Sequence, residues 1–214
     1  MEKEIKGYDV ASCFGSSGCR NVANSCMRLA RDIEKIIEKE DILSFLKENV
    51  KKGLKSHHEF KVVLADCPNA CSRPQIVDIG IIGAHLPGLS EEVCTLCFAC
   101  VEVCAENAVF FDRGSENPVI NYDHCLMCGK CIKVCSVKTI KEKEKGFRVL
   151  LGGRLGRHPM LGMEVSGICS HDEVLSIVQK CLKFYKEKAK NGQRFSHILS
   201  SVDQIIGDTK ILTC

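Results

Sequence analysis

The chain has 214 residues, of which 16 are cysteine, 6% are aromatic and none is tryptophan. Its 30 basic and 27 acidic side chains leave a formal charge of +3, without the clustered basic excess that a nucleic-acid binder carries, and no apolar run approaches membrane-span length. The length allows one large domain or two small ones, and an aliphatic core this poor in aromatics points to support from something other than side chains.

Residues 1–10 (MEKEIKGYDV) show no apolar h-region and no cleavage signal. Together with cysteine spacings of metal type rather than disulfide type, this predicts a reducing, cytoplasmic setting. Cys13 and Cys19 form a C-x5-C pair around the Gly/Ser-rich turn FGSSG, which lets backbone approach a bulky group. A helix is predicted over 21–39, with Val22, Met27, Leu29, Ile33, Ile36 and Ile37 as its apolar stripe. His57 and His58 read as part of a solvated linker. Residues 60–65 (FKVVLA) read as a buried strand delivering Cys67, and Pro68 and Asn69 make the turn that brings Cys71 round as the second half of a C-x3-C pair. Residues 75–83 (QIVDIGIIG) read as a further strand.

Cys94, Cys97, Cys100 and Cys104 then read C-x2-C-x2-C-x3-C, and Cys125, Cys128, Cys131 and Cys135 repeat the pattern. Three thiolates at this spacing wrap three irons of one cubane, while the fourth points to the other cluster. One [4Fe–4S] cluster is therefore expected on Cys94, Cys97, Cys100 and Cys135, and a second on Cys125, Cys128, Cys131 and Cys104. The flanks repeat as well, with short strands predicted at 108–112 (AVFFD) and 137–141 (VKTIK). This module resembles bacterial two-cluster ferredoxins, with Ala105 and Ser136 where their proline follows the fourth cysteine. Zinc ribbons are the competing assignment, but they use paired C-x2-C units.

The outer cysteines, in the order C-x5-C then C-x3-C with CPN at 67–69, resemble the signature of the sirohaem-containing sulfite and nitrite reductases. The resemblance continues through 75–83 and through FRVLLGGRLGRHP at 147–159, so it covers nearly the whole chain. It implies a third [4Fe–4S] cluster on Cys13, Cys19, Cys67 and Cys71, with Cys71 bridging to the iron of a sirohaem. It implies that Arg73 and Arg20 face an anionic substrate, sulfite or nitrite, and that Arg154, Arg157 and His158 meet the carboxylates of the tetrapyrrole. Each has a plainer alternative: a surface arginine for Arg73 and Arg20, a polar turn for the other three. Three clusters at about −2 each would carry the holo-protein from +3 to about −3.

Four cysteines remain, Cys26, Cys169, Cys181 and Cys214, and read as packing residues. SHDE at 170–173 is a capping box opening a helix to about 190, with Val174, Ile177, Val178, Cys181, Leu182 and Tyr185 on one face. Its basic tail, 183–190, reads as a solvated face, with a docking patch for an acidic redox partner as the alternative.

The expected fold is α+β: a reductase-like half-domain in two pieces, 1–86 and 146–214, around a ferredoxin insertion at 87–145. The reductases that the chain resembles have two related halves, so a second subunit or a homo-oligomer is expected to complete the site. An electron donor protein or a reduced ferredoxin is expected to supply electrons. No nucleic acid and no membrane is expected as a partner. A haem-free multi-cluster ferredoxin, acting as an electron carrier, is the alternative function.

Overall fold

The computed structural model describes residues 5–51 and 53–207, so Cys214 lies outside the described residues. Strand β1 (Tyr8–Ser12) leads directly to Cys13. Helices α1 (Met27–Lys39) and α2 (Ile42–Asn49) follow, then β2 (Phe60–Ala65) and the long β3 (Ile79–Leu89). The segment that carries eight cysteines holds helix α3 (Ala99–Glu102), the two-residue strands β4 (Val109–Phe110) and β5 (Val119–Ile120), and helix α4 (Lys130–Val134). The chain returns along β6 (Ile140–Leu151) and β7 (Met163–Glu164) and ends in helices α5 (His171–Lys188), α6 (Phe195–Ile198) and α7 (Asp203–Ile206).

The main sheet has the order β1-β2-β3-β6-β7, parallel through its first three strands and antiparallel thereafter. Alternate residues of the strands, Val62 and Leu64, Ile79 and Ile81, Val149 and Leu151, point to one face and meet Leu29, Ile33 and Ile37 of α1 and Val174, Val178 and Leu182 of α5. Burying this apolar face is the main force that holds the layer together. Chain segments cross both faces of the sheet closely, Gly83 lying on the face of Ile79 and Ile81 and Gly80 on the other, and here glycine is required. A Cβ on Gly83 would lie 2.7 Å from the Asp66 carbonyl oxygen, and one on Gly80 would collide with the Pro74 carbonyl.

The first helix starts later than its apolar stripe suggests. The backbone N–H groups of Ala23 and Asn24 donate to the Asp66 carbonyl at 2.9 and 3.1 Å, and that of Cys26 donates to Asp66 Oδ1 at 2.9 Å. Residues 21–26 thus form a collar around Asp66, and its carboxylate serves as the N-cap acceptor for α1 from another part of the chain. The α5 capping box is present: Glu173 N–H donates to Ser170 Oγ at 3.3 Å and Ser170 N–H to Glu173 Oε2 at 2.7 Å. All six residues expected on its inner face are buried. Its basic tail is not wholly solvated, because Lys186 Nζ donates to Glu40 Oε2 at 2.7 Å and to the Glu40 carbonyl at 3.0 Å, tying the two helix ends together.

The charged run KEKEK at 141–145, where the insertion at 87–145 was expected to end, is strand. It forms the first part of β6 and pairs with the end of β3, Pro87↔Glu142, Gly88↔Lys141 and Leu89↔Ile140. Lys141, Glu142, Lys143 and Lys145 are exposed while β3 opposite them is buried as far as Gly88, so hydrophobic alternation does not mark this half of the ladder. The strand expected at 137–141 begins only at Ile140, and the partner of β4 is β5. His57 and His58 form a 3-10 turn in which Lys55 N–H donates to His58 Nδ1 at 3.0 Å.

Candidate functional site

Two cavities in the cysteine-rich segment divide its thiols in the crossed manner expected of the repeat. One is lined by Cys94, Cys97, Cys100 and Cys135, the other by Cys104, Cys125, Cys128 and Cys131. The repeat extends to the backbone. Left-handed residues recur at the same offset in both runs: Leu96 and Met127 (φ 55° and 57°), Phe98 and Gly129 (56° and 67°), Asn107 and Lys138 (52° and 61°). Such residues cost energy unless the site demands them. Here they curl each loop so that amides face sulfur: Leu96 N–H donates to Cys94 Sγ at 3.4 Å, Ala108 N–H to Cys104 Sγ at 3.2 Å, and Ile140 N–H to Cys135 Sγ at 3.3 Å.

The repeat breaks at one informative place. Phe98 is half-exposed, but its counterpart is Gly129, where a Cβ would lie 2.7 Å from Nδ1 of the buried His85. His85 comes from β3, donates its backbone N–H to the Met127 carbonyl at 2.7 Å, and presses the second loop against the main sheet. Gly129→Ala is therefore expected to displace His85 and to cost about 1–3 kcal/mol. Thermal denaturation of the variant measures the cost; unchanged stability would rule out the packing role given to His85.

The third cavity sits at the C-terminal ends of the parallel strands. Ser12 pairs with Leu64, so Cys13 and Cys67, which follow those strands, emerge side by side. Cys19 returns over the FGSSG turn and Cys71 over a turn with Ala70 left-handed (φ 50°), and all four cysteines line the cavity. Cys13 Sγ accepts from the N–H groups of Gly15 and Asp66 at 3.4 and 3.3 Å. Cys71 is exposed at the rim, and Asn69 Nδ2 donates to its sulfur at 2.9 Å. Sequence reasoning gave Asn69 only a turn role. Its place two residues before an outward cysteine was the available signal.

Four of the thiols in these cavities are held against their own ionisation. Burial pushes Cys67, Cys100 and Cys125 up, and pushes Cys131 up to about 12, with neighbouring cysteines adding to the effect. Thiolates so placed need a cationic core between them, which is the chemistry of a metal-binding quartet. Among the described residues no three His, Cys, Asp or Glu groups lie close enough to hold a single metal ion. Quartets spread around a cavity suit a multi-iron core better than one zinc ion. The described cysteines are all free thiols.

Cys26, Cys169 and Cys181 are fully buried in the main core, the packing role expected of them. Cys26 adjoins the third cavity, where its Sγ donates to the Ala65 carbonyl at 3.5 Å. Burial pushes the Cys169 thiol up to about 11.

The basic residues separate into two groups. Arg20, Arg73, Arg157 and His158 are exposed. Arg73 is left-handed (φ 60°) and opens the turn 74–76, while the loop 152–162 packs against that turn through Gly162 N–H, which donates to the Gln75 carbonyl at 2.8 Å. Arg73 and the glycine loop therefore lie on neighbouring segments, joined at the turn 74–76. Arg154 differs from the expectation of carboxylate binding. Its Nε donates to the His158 carbonyl at 2.9 Å and its Nη1 to the Ser196 carbonyl at 2.7 Å, so its guanidinium closes the loop and fastens α6. Arg73, Arg157 and His158 keep exposed side chains.

The family model described as nitrite and sulphite reductase 4Fe-4S domain matches residues 9–203. The chain is 36% identical over 201 residues to the coenzyme F420-dependent sulfite reductase of Methanocaldococcus jannaschii, an alignment covering 94% of this chain and 29% of that protein. It is 28% identical over 105 residues to a subunit of the anaerobic sulfite reductase of Salmonella typhimurium, covering 49% of this chain and 26% of that one. The chain thus spans under a third of the length of either relative. The crystal structure of dissimilatory sulfite reductase I superposes with a TM-score of 0.59 at 15% identity, over 92% of this chain and 50% of that one, which establishes the mixed α+β fold. No helix among the described residues is long and apolar enough to cross a membrane.

Proposed function

Because this chain belongs to the nitrite and sulphite reductase 4Fe-4S domain family, we propose that it carries electrons through three [4Fe–4S] clusters to a sirohaem at which sulfite is reduced to sulfide. Cys94, Cys97, Cys100 and Cys135 hold the outer cluster. Cys104, Cys125, Cys128 and Cys131 hold the inner one. Cys13, Cys19, Cys67 and Cys71 would hold the third, and Cys71, the exposed thiol of the four, would be the one open to a sirohaem. When bound, these groups supply the one-electron steps, six per sulfite, and the iron that activates the anion; the protein supplies ligands, orientation and charge.

The observation that carries this reading is the shared wall between cavities. The inner ferredoxin cavity is lined by Cys67, Pro68 and Asn69 as well as by its own cysteines, and Asn21, Cys67 and Asn69 also line the third cavity. Cys67, Pro68 and Asn69 thus separate the two centres, and that proximity is what electron transfer needs. Arg73, Arg157 and His158 offer positive charge to the tetrapyrrole carboxylates and the anion. A donor protein or reduced ferredoxin delivers electrons at the outer cluster, beside exposed Cys97, and a second subunit or second copy covers the face around Cys71. The family leaves nitrite as the alternative anion.

Anaerobic reconstitution tests the proposal. Iron and acid-labile sulfide are expected near twelve each per chain, with a sirohaem absorption band and viologen-driven sulfite reduction once the second subunit or copy is in place. Saturation near eight would remove the third cluster. Twelve irons with no haem bound under any pairing would make the chain an electron carrier.

A further inference from the structure

We propose that Lys133 is a positioning residue for internal electron transfer, its ammonium forming a fixed positive charge at the junction between the inner ferredoxin cluster and the third cluster. The proposal rests on the three-cluster reading above. Lys133 lies on α4 between Cys131, which lines the inner cavity, and Cys135, which lines the outer one. Its Nζ donates at 2.6 Å to the carbonyl of Val22, a residue 111 positions away that lines the third cavity. Val22 in turn donates its N–H to the Cys19 carbonyl at 3.4 Å. The ammonium therefore joins the two cluster-binding units where their cavities share Asn21, Cys67 and Asn69.

A lysine side chain on a protein surface ordinarily keeps its freedom, which is costly to give up. This one is held on a carbonyl across a domain-scale distance in sequence. Two charged residues line the inner cavity, Lys130 and Glu106, and they are opposite in sign, while Asp66 lines the third. Lys133 lies outside both linings, exposed on α4, and brings its positive charge to the Val22 side of the seam. Each thiolate-bound cluster is anionic and gains a further negative charge when reduced, so a fixed cation stabilises the electron at the crossing. Being preorganised, it does so without rearrangement.

The test uses the full chain, reconstituted, in three variants: Lys133→Met, Lys133→Gln and Lys133→Arg. Redox titration followed by electron paramagnetic resonance reads the clusters. In the Met variant the reduction equilibrium of at least one junction cluster is expected to fall about tenfold, which is about 59 mV for a one-electron couple, with iron still near twelve. The Gln variant keeps a donor for Val22 without the charge and is expected to follow Met; the Arg variant keeps both and is expected to follow the wild type. Wild-type potentials in Met or Gln, or a lowered potential in Arg, would overturn the role of the charge. Should the Met variant lose iron, the Gln variant decides. Wild-type iron saturating near eight would instead overturn the three-cluster reading, and this proposal with it.

Discussion

Cys71→Ser is expected to abolish sulfite reduction while the two ferredoxin clusters still accept electrons. The reason is positional. Cys71 is the exposed thiol of its quartet, at the rim of the third cavity, and Asn69 Nδ2 already addresses its sulfur at 2.9 Å. Its loss removes a cluster ligand and the outward connection together. A buried cysteine provides the contrast. Cys169→Ser places a hydroxyl in the apolar core, at a cost of about 1–3 kcal/mol if it finds no partner, but touches no quartet. It is expected to lower thermal stability and leave iron, haem and turnover unchanged. A methyl-viologen assay on both variants, with haem measured in parallel, separates the roles. Full haem and full activity in Cys71→Ser would refute the bridging assignment.

The second large effect concerns which cluster each fourth cysteine serves. Cys104→Ala is expected to remove the inner cluster although the other three thiols of its run line the outer cavity; Cys135→Ala is expected to remove the outer cluster. Each loses about four irons of twelve. Their kinetics should differ sharply. Without the inner cluster the outer one is cut off from Cys67, so reduction of the third centre by a large donor protein stops. Without the outer cluster a small reductant still reaches the inner one, and reduction of the third centre continues. Stopped-flow reduction with both classes of donor reads the difference. If Cys104→Ala loses the same paramagnetic signal as Cys94→Ala, the crossed ligation is wrong.

Three cysteines of each ferredoxin quartet were legible in the sequence because they are local, their spacing within a short loop fixing geometry whatever lies outside it, and the internal repeat supplied the crossed fourth. The third quartet needed a resemblance, since nothing in C-x5-C and C-x3-C says that the pairs meet. What brings them together is the parallel pairing of β1 with β2, and β1 has too little periodicity to announce itself. Arg154 misled for a similar reason. A guanidinium among glycines suits an anionic ligand, and its commitment to the Ser196 carbonyl depends on a helix forty residues downstream. The late start of α1 was hidden in Asp66, which captures the amides of residues 23, 24 and 26 from across the sheet. The KEKEK strand escaped notice because both of its faces meet water, so no alternation was selected.

The long hairpin of β3 and β6 also sets the conditions under which this chain can be made. Leu89 pairs with Ile140, so residues 90–139 are a single excursion from one edge of a ladder to its partner. Closing a floppy excursion of about fifty residues costs about 3.5 kcal/mol in chain entropy before any constant term. The metal-free segment has little with which to offset that, since its own apolar cluster is small, with Val109, Ile120 and Ile140 as its buried aliphatic members. Filled with iron and sulfide, the same segment becomes a rigid clasp that holds the two strands in register. Cofactor supply thereby acts on maturation as well as on redox chemistry.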